Sequence, residues 1–183
     1  MRGTFQVQPA DDLTAVALLF REYADSLGID LSFQGFEAEL AGLPGAYAPP
    51  AGALLLARSS SGEALGCVAV RALDSAAVRD LDSVALRARD SAALRARRES
   101  GTCEMKRLHT RPNARGAGVG RALALAAIRA ATQAGYRTMR LDTLPGMVAA
   151  GALYRSLGFE TTPAYYDTPL AGTIFMRKTL ARP

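Results

Sequence analysis

A glycine-rich turn between a strand pattern and a helix pattern constrains the fold more than any other stretch of this chain. Residues 103–110 carry polar and apolar side chains in the order typical of a strand, which Pro112 interrupts. Gly116, Gly118 and Gly120 then lead into a helix that is mostly Ala and Leu. Glycines let backbone N–H groups approach an anion, and the helix start adds unpaired N–H donors. The stretch therefore predicts a site for a phosphate group.

The residues around the glycines exclude two common phosphate-binding motifs. Arg121 and Ala122 follow the last glycine, so the Lys-Ser/Thr ending of a P-loop is missing. The glycine spacing also departs from the dinucleotide-binding fingerprint, and no suitable acidic residue follows about twenty positions later. A plain tight turn remains the alternative as long as the turn is considered by itself.

Two segments carry a more specific signal. The first is Arg115-x-x-Gly118-x-Gly120 after the extended Met-Lys-Arg-Leu-His-Thr-Arg-Pro stretch. The second runs from Ala149 to Phe159 and ends in Leu-Tyr-Arg-Ser-Leu-Gly-Phe. Together they resemble the acetyl-CoA-binding signature of the GNAT family of N-acetyltransferases and its helix ending in Leu-Tyr-x-x-x-Gly-Phe. The close match covers residues 103–160, and the rest of the chain fits by element order.

The elements follow from hydrophobic periodicity and turn residues. The predicted strands are 3–8, 53–58, 64–73, 103–110, 138–143, 159–161 and 173–179, and the predicted helices are 11–27, 33–40, 118–134 and 145–157. The resemblance implies that residues 1–183 form one α/β domain with the GNAT fold, a mixed, splayed β-sheet flanked by helices on both faces.

The resemblance also implies an activity. A GNAT protein transfers an acetyl group from acetyl-CoA to a primary amine by direct attack, without an acyl-enzyme. Small-molecule and peptide amines fit the sequence equally well as acceptors. The alternative from another class of protein is a non-catalytic acyl-CoA sensor that keeps the coenzyme site and regulates a partner.

The coenzyme is expected along the strand and in the turn. By the resemblance, the backbone of Leu108, His109 and Thr110 pairs with the pantetheine arm. The turn's N–H groups hold the pyrophosphate, and arginine donors match phosphate oxygens. The residues predicted for this second role are Arg115, Gly116, Ala117, Gly118, Val119, Gly120 and Arg121.

Tyr154 is the first catalytic residue that the resemblance implies. It matches a family tyrosine whose hydroxyl lies near the coenzyme sulfur and acts as a general acid. A buried tyrosine with a satisfied hydroxyl is the alternative. Many family members carry Asn seven residues before this tyrosine, where this chain has Met147, so that contact to the pantetheine is absent or made by backbone.

Glu104 is the candidate general base, because several family members place a catalytic glutamate four residues before the position of Leu108. The alternative is an ion pair with Lys106 or Arg107. Strand alternation predicts that Glu104 shares a face with Lys106 and Leu108. It predicts His109 on the opposite face, as a packing residue.

The acceptor side is less specified. In the family, the first two helices and their linker shape the acceptor pocket, which makes Gln34, Glu37 and Tyr47 candidates, with ordinary surface or packing roles as the alternative. A loop with Tyr165 and Tyr166 between the last two strands is predicted either to border a ligand site or to pack at the surface.

Composition limits the remaining classes. The chain has 183 residues, enough for a sizeable core, and a net charge of +5 whose arginines are interleaved with acids, which argues against nucleic acid. Two cysteines, Cys67 and Cys103, and one histidine predict buried reduced thiols and no metal site. No apolar run approaches a membrane span and no signal-peptide core is present, so we expect a cytoplasmic protein.

Residues 74–97 repeat with a period of eight, in which Asp74, Asp82 and Asp90 align. The residues favour helix by propensity, but each repeat turns a helical pattern by roughly 80°, so one straight helix keeps no single apolar face. We expect an exposed helical arm or a partly ordered insertion at 74–100, where the family has a short turn. A tandem duplication without function is the leading interpretation. An oligomer contact, which leaves a homodimer open, or a lid is the alternative.

Overall fold

The computed structural model describes residues 4–73 and 101–181, which build one seven-stranded sheet with helices on both faces. The strands are β1 (Phe5–Pro9), β2 (Ala53–Ser59), β3 (Ala64–Ala72), β4 (Thr102–Thr110), β5 (Thr138–Thr143), β6 (Glu160–Thr161) and β7 (Ile174–Thr179). The helices are α1 (Leu13–Leu27), α2 (Phe36–Ala41), α3 (Val119–Gln133) and α4 (Val148–Ser156). The predicted α/β class and the predicted element order are confirmed.

The sheet is mixed, as expected, and it is splayed at its centre. Its order is β1-β2-β3-β4-β5-β7-β6, and the pairing of β4 with β5 is parallel while the other pairings are antiparallel. The parallel ladder joins only Thr102–Glu104 to Thr138–Arg140. Beyond Glu104 the two strands separate, which leaves an opening in the middle of the sheet.

Strand β4 contains a bulge at Arg107. The register with β3 shifts between Cys67 and Ala69, and Arg107 has a φ of 56°, a left-handed conformation that is uncommon for a residue with a side chain. The bulge reverses the alternation of the side chains that follow it. The predicted faces of Leu108 and His109 are therefore wrong: His109 lies on the face of Glu104 and Lys106, and Leu108 lies on the other face.

Each face of the sheet has its own core. On one face, Val16, Leu19 and Phe20 of α1 pack with α2 against β2 and β3. On the other face, α3 packs against β2, β3 and β4, and its alanines allow the close approach of helix and strands. Helix α1 begins at Leu13, where Asp12 Oδ1 accepts the Ala15 N–H at 2.9 Å, two residues after the predicted start.

Cys67 and Cys103 are buried and free, as expected. Their strands are neighbours, but Cys67 belongs to the core under α1 and Cys103 to the core under α3. Within the described residues, no helix is long and apolar enough to cross a membrane. The predicted arm at 74–100 lies outside the described residues.

Candidate functional site

The glycine-rich turn between β4 and α3 is exposed and strongly curved. Gly116 has a φ of 75° and Gly118 a φ of 87°, a conformation that residues with a Cβ rarely adopt. A Cβ built on either glycine meets no atom within 4 Å, so there is open space beside the turn. Gly118 precedes α3, whose first N–H groups have no intrahelical acceptor. The turn therefore offers donors and room to an anionic group.

Two arginines border this turn. Arg115 is exposed, and its Nε donates to the Thr110 carbonyl oxygen at 3.4 Å. Arg121 is also exposed, and its Nη1 donates to Ser156 Oγ at 2.9 Å, which connects the start of α3 to the end of α4. Both residues adjoin the turn in the sequence, and arginine carries donors that match phosphate oxygens. The arrangement fits the polyphosphate of a coenzyme, and the individual contacts stay predictions.

A cleft opens where β4 and β5 separate. The cleft is the cavity bounded by the ends of these two strands, by α1 and the loop that follows it, and by α4. Its polar lining comprises Tyr23, Gln34, Lys106, Arg107, Asp142 and Tyr154, together with Thr143. Strand β4 leads from this cleft to the glycine-rich turn, so a ligand lying along the strand would reach both.

The three residues predicted to contact the pantetheine end β4. Leu108 lines the cleft and packs against the core under α3. Thr110 lies at the turn, where its Oγ1 is 3.4 Å from the position that a Cβ on Gly120 would occupy. His109 is buried against α1, and its Nε2 lies 3.7 Å from Glu22 Oε2. Burial lowers the pKa of His109 and favours its neutral form.

Tyr154 lies on α4, is buried, and lines the cleft. Its ring packs edge-on against Phe159 with centroids 5.8 Å apart, which brings the two halves of the predicted Leu-Tyr and Gly-Phe motif together. Burial raises the pKa of its hydroxyl, which therefore stays protonated near neutral pH. The hydroxyl makes no hydrogen bond to any residue of 4–73 or 101–181. Met147 also lines the cleft.

Glu104 is buried and holds a network of donors. Its Oε2 accepts from Arg71 Nε at 2.8 Å, and its Oε1 accepts from the Tyr165 hydroxyl at 2.7 Å. Burial alone would raise the pKa of Glu104, but the charges of Lys106 and Arg71 and these hydrogen bonds lower it to about 2. Among the described residues, those that line the cleft do not include Glu104.

The ion pairs of β4 differ from those expected. Glu104 forms its salt bridge with Arg71, the residue opposite it on β3, at 2.7 Å, and not with Lys106 or Arg107. Arg107 is buried and pairs instead with Glu39 of α2 at 2.6 Å. The Tyr47 hydroxyl donates to the same carboxylate at 2.6 Å. Of these paired residues, Arg107 lines the cleft.

The candidates for the acceptor side separate in the structure. Gln34 lines the cleft, and its buried Oε1 has no hydrogen-bond partner among the described residues. Glu37 is exposed and pairs with Arg21 at 3.1 Å, and Tyr47 is buried in the core under α1. Tyr165 reaches Glu104 from the loop before β7. Burial, followed by the charge of Asp142, raises the pKa of the neighbouring Tyr166.

Lys106 and Asp142 also line the cleft, although neither was predicted from the sequence to do so. Both interrupt strand patterns that are otherwise largely buried, and a charged residue inside a buried strand is a signal for a functional or paired group. Their meeting at one cleft depends on the register of β4 with β5. That register is set by tertiary packing and has no local sequence signal.

Comparisons with known proteins identify the family. The model of the acetyltransferase (GNAT) family matches residues 18–159. A Schizosaccharomyces pombe protein described as an uncharacterized N-acetyltransferase is 36% identical over 96% of this chain and 93% of its own length.

Solved structures share the fold. An acetyltransferase of the GNAT family from Staphylococcus aureus superposes with a TM-score of 0.70 at 14% identity, covering 97% of this chain and 100% of its own. A Salmonella typhimurium protein solved with its cofactor acetyl-CoA superposes with a TM-score of 0.58 at 18% identity, covering 98% of this chain and 96% of its own. Because the family model matches most of the chain and the Schizosaccharomyces pombe relative is similar over nearly its whole length, this chain belongs to the acetyltransferase (GNAT) family.

Proposed function

We propose that this protein transfers the acetyl group of acetyl-CoA to a primary amine by direct attack of the amine on the thioester. The observation that carries the proposal is the separation of β4 from β5 beyond Glu104, which opens the cleft beside the strand leading to the glycine-rich turn. The cleft beside β4 matches the extended arm of such a coenzyme, and the glycine-rich turn matches its polyphosphate. Membership of the family supports the same reaction class.

The coenzyme arm is proposed to lie along the free edge of β4. Beyond Glu104 this edge has lost β5 as a neighbour, so backbone groups of Leu108–Thr110 are available to an extended ligand. The N–H groups of Gly116–Arg121 would bind the pyrophosphate at the start of α3. Acetyl-CoA supplies the thioester, and the chain's residues bind and orient it.

Tyr154 is the proposed general acid. Its hydroxyl keeps its proton near neutral pH because burial raises its pKa, and Tyr154 lines the cleft together with Leu108 and Met147. A proton donor at this position would neutralise the thiolate that leaves when the thioester is broken. The absence of a hydrogen bond from this hydroxyl to any described residue leaves it available for that role.

The cysteines support direct attack. Burial raises the pKa of both Cys67 and Cys103, which keeps them as thiols, and each lies in a core and not in the cleft. Neither has the exposed, low-pKa character of a nucleophilic cysteine. An acyl-enzyme on either thiol is therefore disfavoured.

Glu104 stays a prediction as the general base. With a pKa of about 2 and donors on both carboxylate oxygens, it is a weak base, and its surroundings favour the alternative of a structural ion pair. We propose that it positions Arg71 and Tyr165 behind the cleft. Location in the cytoplasm and a homodimer also stay predictions.

The experiment that tests the proposed function is thiol release from acetyl-CoA across a panel of primary amines, with mass spectrometry of the products. We expect thiol release only in the presence of one class of amine. The amount of thiol released should equal the amount of amide formed. Coenzyme binding without turnover of any amine would contradict transfer and favour the acyl-CoA sensor. Absence of coenzyme binding would contradict both functions.

A further inference from the structure

Most charges on the α1 side of β3, β4 and β5 neutralise one another. Arg71 pairs with Glu104 at 2.7 Å, and Arg107 pairs with Glu39 at 2.6 Å. At the outer end of β4, Arg111 pairs with Glu22 at 2.7 Å. Each of these carboxylates is thus occupied by a guanidinium group of the chain itself, and none is free to bind a ligand cation.

Among the described residues of β4 and β5, three further charged groups lie on this face. Lys106 lines the cleft, and among residues 4–73 and 101–181 no carboxylate lies within salt-bridge distance of its ammonium group. Arg140 stands over the Tyr165 ring at 5.1 Å, and its buried Nε has no hydrogen-bond partner among the described residues. Asp142 is the carboxylate that lines the cleft. Two cations and one carboxylate leave this part of the site with an excess of positive charge.

The excess charge is costly in the free protein. Burial lowers the pKa of Lys106, and the neighbouring Arg71 and Arg107 act in the same direction, although Glu104 and Asp142 oppose them. An anionic ligand beside Lys106 would offset this cost. A ligand cation has different partners on the same surface: the Asp142 carboxylate and the unpaired Gln34 Oε1.

We propose that the acceptor is an amino acid or a similar small amine that also carries a carboxylate. The carboxylate binds Lys106, with Arg140 adding to the positive potential, and the ammonium group lies at Asp142 and Gln34 before it gives a proton to water. The amine nitrogen then forms the amide bond to the acetyl carbon as the carbon–sulfur bond breaks. The remaining amine proton leaves to water, and Tyr154 protonates the departing thiolate. Leu27, Ile29 and Leu31, which are among the apolar residues that line the cleft, would contact the acceptor's side chain. The inference rests on the proposed acetyl transfer and specifies its substrate class.

Lys106 becomes a specificity-determining residue in this arrangement. Its expected contribution is a charge-assisted hydrogen bond to the substrate carboxylate, which corresponds to a preference of about ten-fold or more over an uncharged analogue. The chain's other lysine, Lys178, lies opposite Met139 and therefore on the other face of the sheet, so it provides a matched control.

The test compares each amino acid with its amide, its decarboxylated amine and an aminoalkyl phosphate, by kcat/KM for thiol release. We expect acids to exceed amides about ten-fold, Lys106→Met to remove most of that ratio, Lys106→Arg to restore part of it, and Lys178→Met to leave it unchanged. A purely structural role of Lys106 would lower both rates and keep the ratio.

The outcomes separate the two proposals. Turnover of amides or decarboxylated amines as fast as the acids would overturn the carboxylate assignment while acetyl transfer stands. Preference for the aminoalkyl phosphate would overturn it in favour of another anion. Coenzyme binding without turnover of any amine would overturn acetyl transfer, and the acceptor assignment with it.

Discussion

Arg107 and Glu39 form a bidentate ion pair that joins the bulge of β4 to helix α2. Arg107 Nε donates to Glu39 Oε1 at 3.0 Å, and Nη2 donates to Oε2 at 2.6 Å. The guanidinium group also lies 5.2 Å from the centre of the Phe36 ring. The side chain of Arg107 thus holds this residue in its left-handed backbone conformation. Because Arg107 lines the cleft, that part of the cleft depends on the contact between Arg107 and Glu39, which are distant in the sequence.

Removing the carboxylate from this pair should destabilise the fold. Glu39→Gln leaves the buried Arg107 guanidinium without its counterion and weakens the bond from Tyr47, so we expect a loss of roughly 3 kcal/mol in the free energy of unfolding. The measurement is denaturant unfolding at neutral pH. The control is Glu37→Gln, whose carboxylate is exposed and pairs with an exposed arginine, with an expected loss below about 1 kcal/mol. Equal losses for the two variants would contradict a structural role of the buried pair.

The glycine-rich turn permits a matched pair of substitutions. Gly118→Val places a β-branched residue at a φ of 87°, and Gly62→Val does the same at 85° in the turn between β2 and β3. The backbone strain should cost each variant about 1–2 kcal/mol of stability. We expect only Gly118→Val to lose coenzyme binding in calorimetry, because it lies at the proposed pyrophosphate site. Unchanged coenzyme affinity in Gly118→Val would exclude the turn as that site.

The elements could be predicted from the sequence because their signals are local. The strand predicted over 138–143 is β5 (Thr138–Thr143), and the helix predicted over 11–27 is α1 (Leu13–Leu27), since alternation, periodicity and capping residues lie within each segment. The glycine-rich turn was likewise visible. Glycine adopts a positive φ without strain, so glycines mark candidate turns in a sequence, and Gly116 and Gly118 do have positive φ values.

The acceptor side of the site could not be predicted in the same way. The bulge occurs at Arg107, and arginine is not a residue type that favours a left-handed backbone conformation. The bulge moves His109 to the face of Glu104. The partner of Arg107 lies 68 residues away in the sequence. Such pairs depend on tertiary packing, and without them neither the charge balance of the cleft nor the state of Glu104 can be worked out.

Tyr154→Phe tests the proposed general acid. Loss of the proton donor should lower kcat by about a hundred-fold, while coenzyme affinity stays the same because the ring remains in place. Since the hydroxyl has no hydrogen bond to a described residue, the free energy of unfolding should change by less than about 1 kcal/mol. Tyr136→Phe, which loses a 2.7 Å bond to the Ala51 carbonyl oxygen, should reverse this pattern and reduce stability more than rate. A Tyr154→Phe enzyme with wild-type kcat would remove this residue from the mechanism.

The two interpretations of Glu104 differ in how Glu104→Gln responds to pH. A carboxyl group whose pKa falls from 4.5 to about 2 on folding contributes stability above about pH 4.5, and that contribution is lost as the pH falls towards 2. We expect Glu104→Gln to be roughly 3 kcal/mol less stable than wild type at pH 7, and this difference to shrink by pH 3. Because a group with this pKa does not titrate between pH 5 and 9, the shape of the kcat/KM profile in that range should be the same in both proteins. A hundred-fold loss of kcat in a stably folded Glu104→Gln protein, with the rising limb of the profile gone and coenzyme affinity retained, would instead identify Glu104 as the general base.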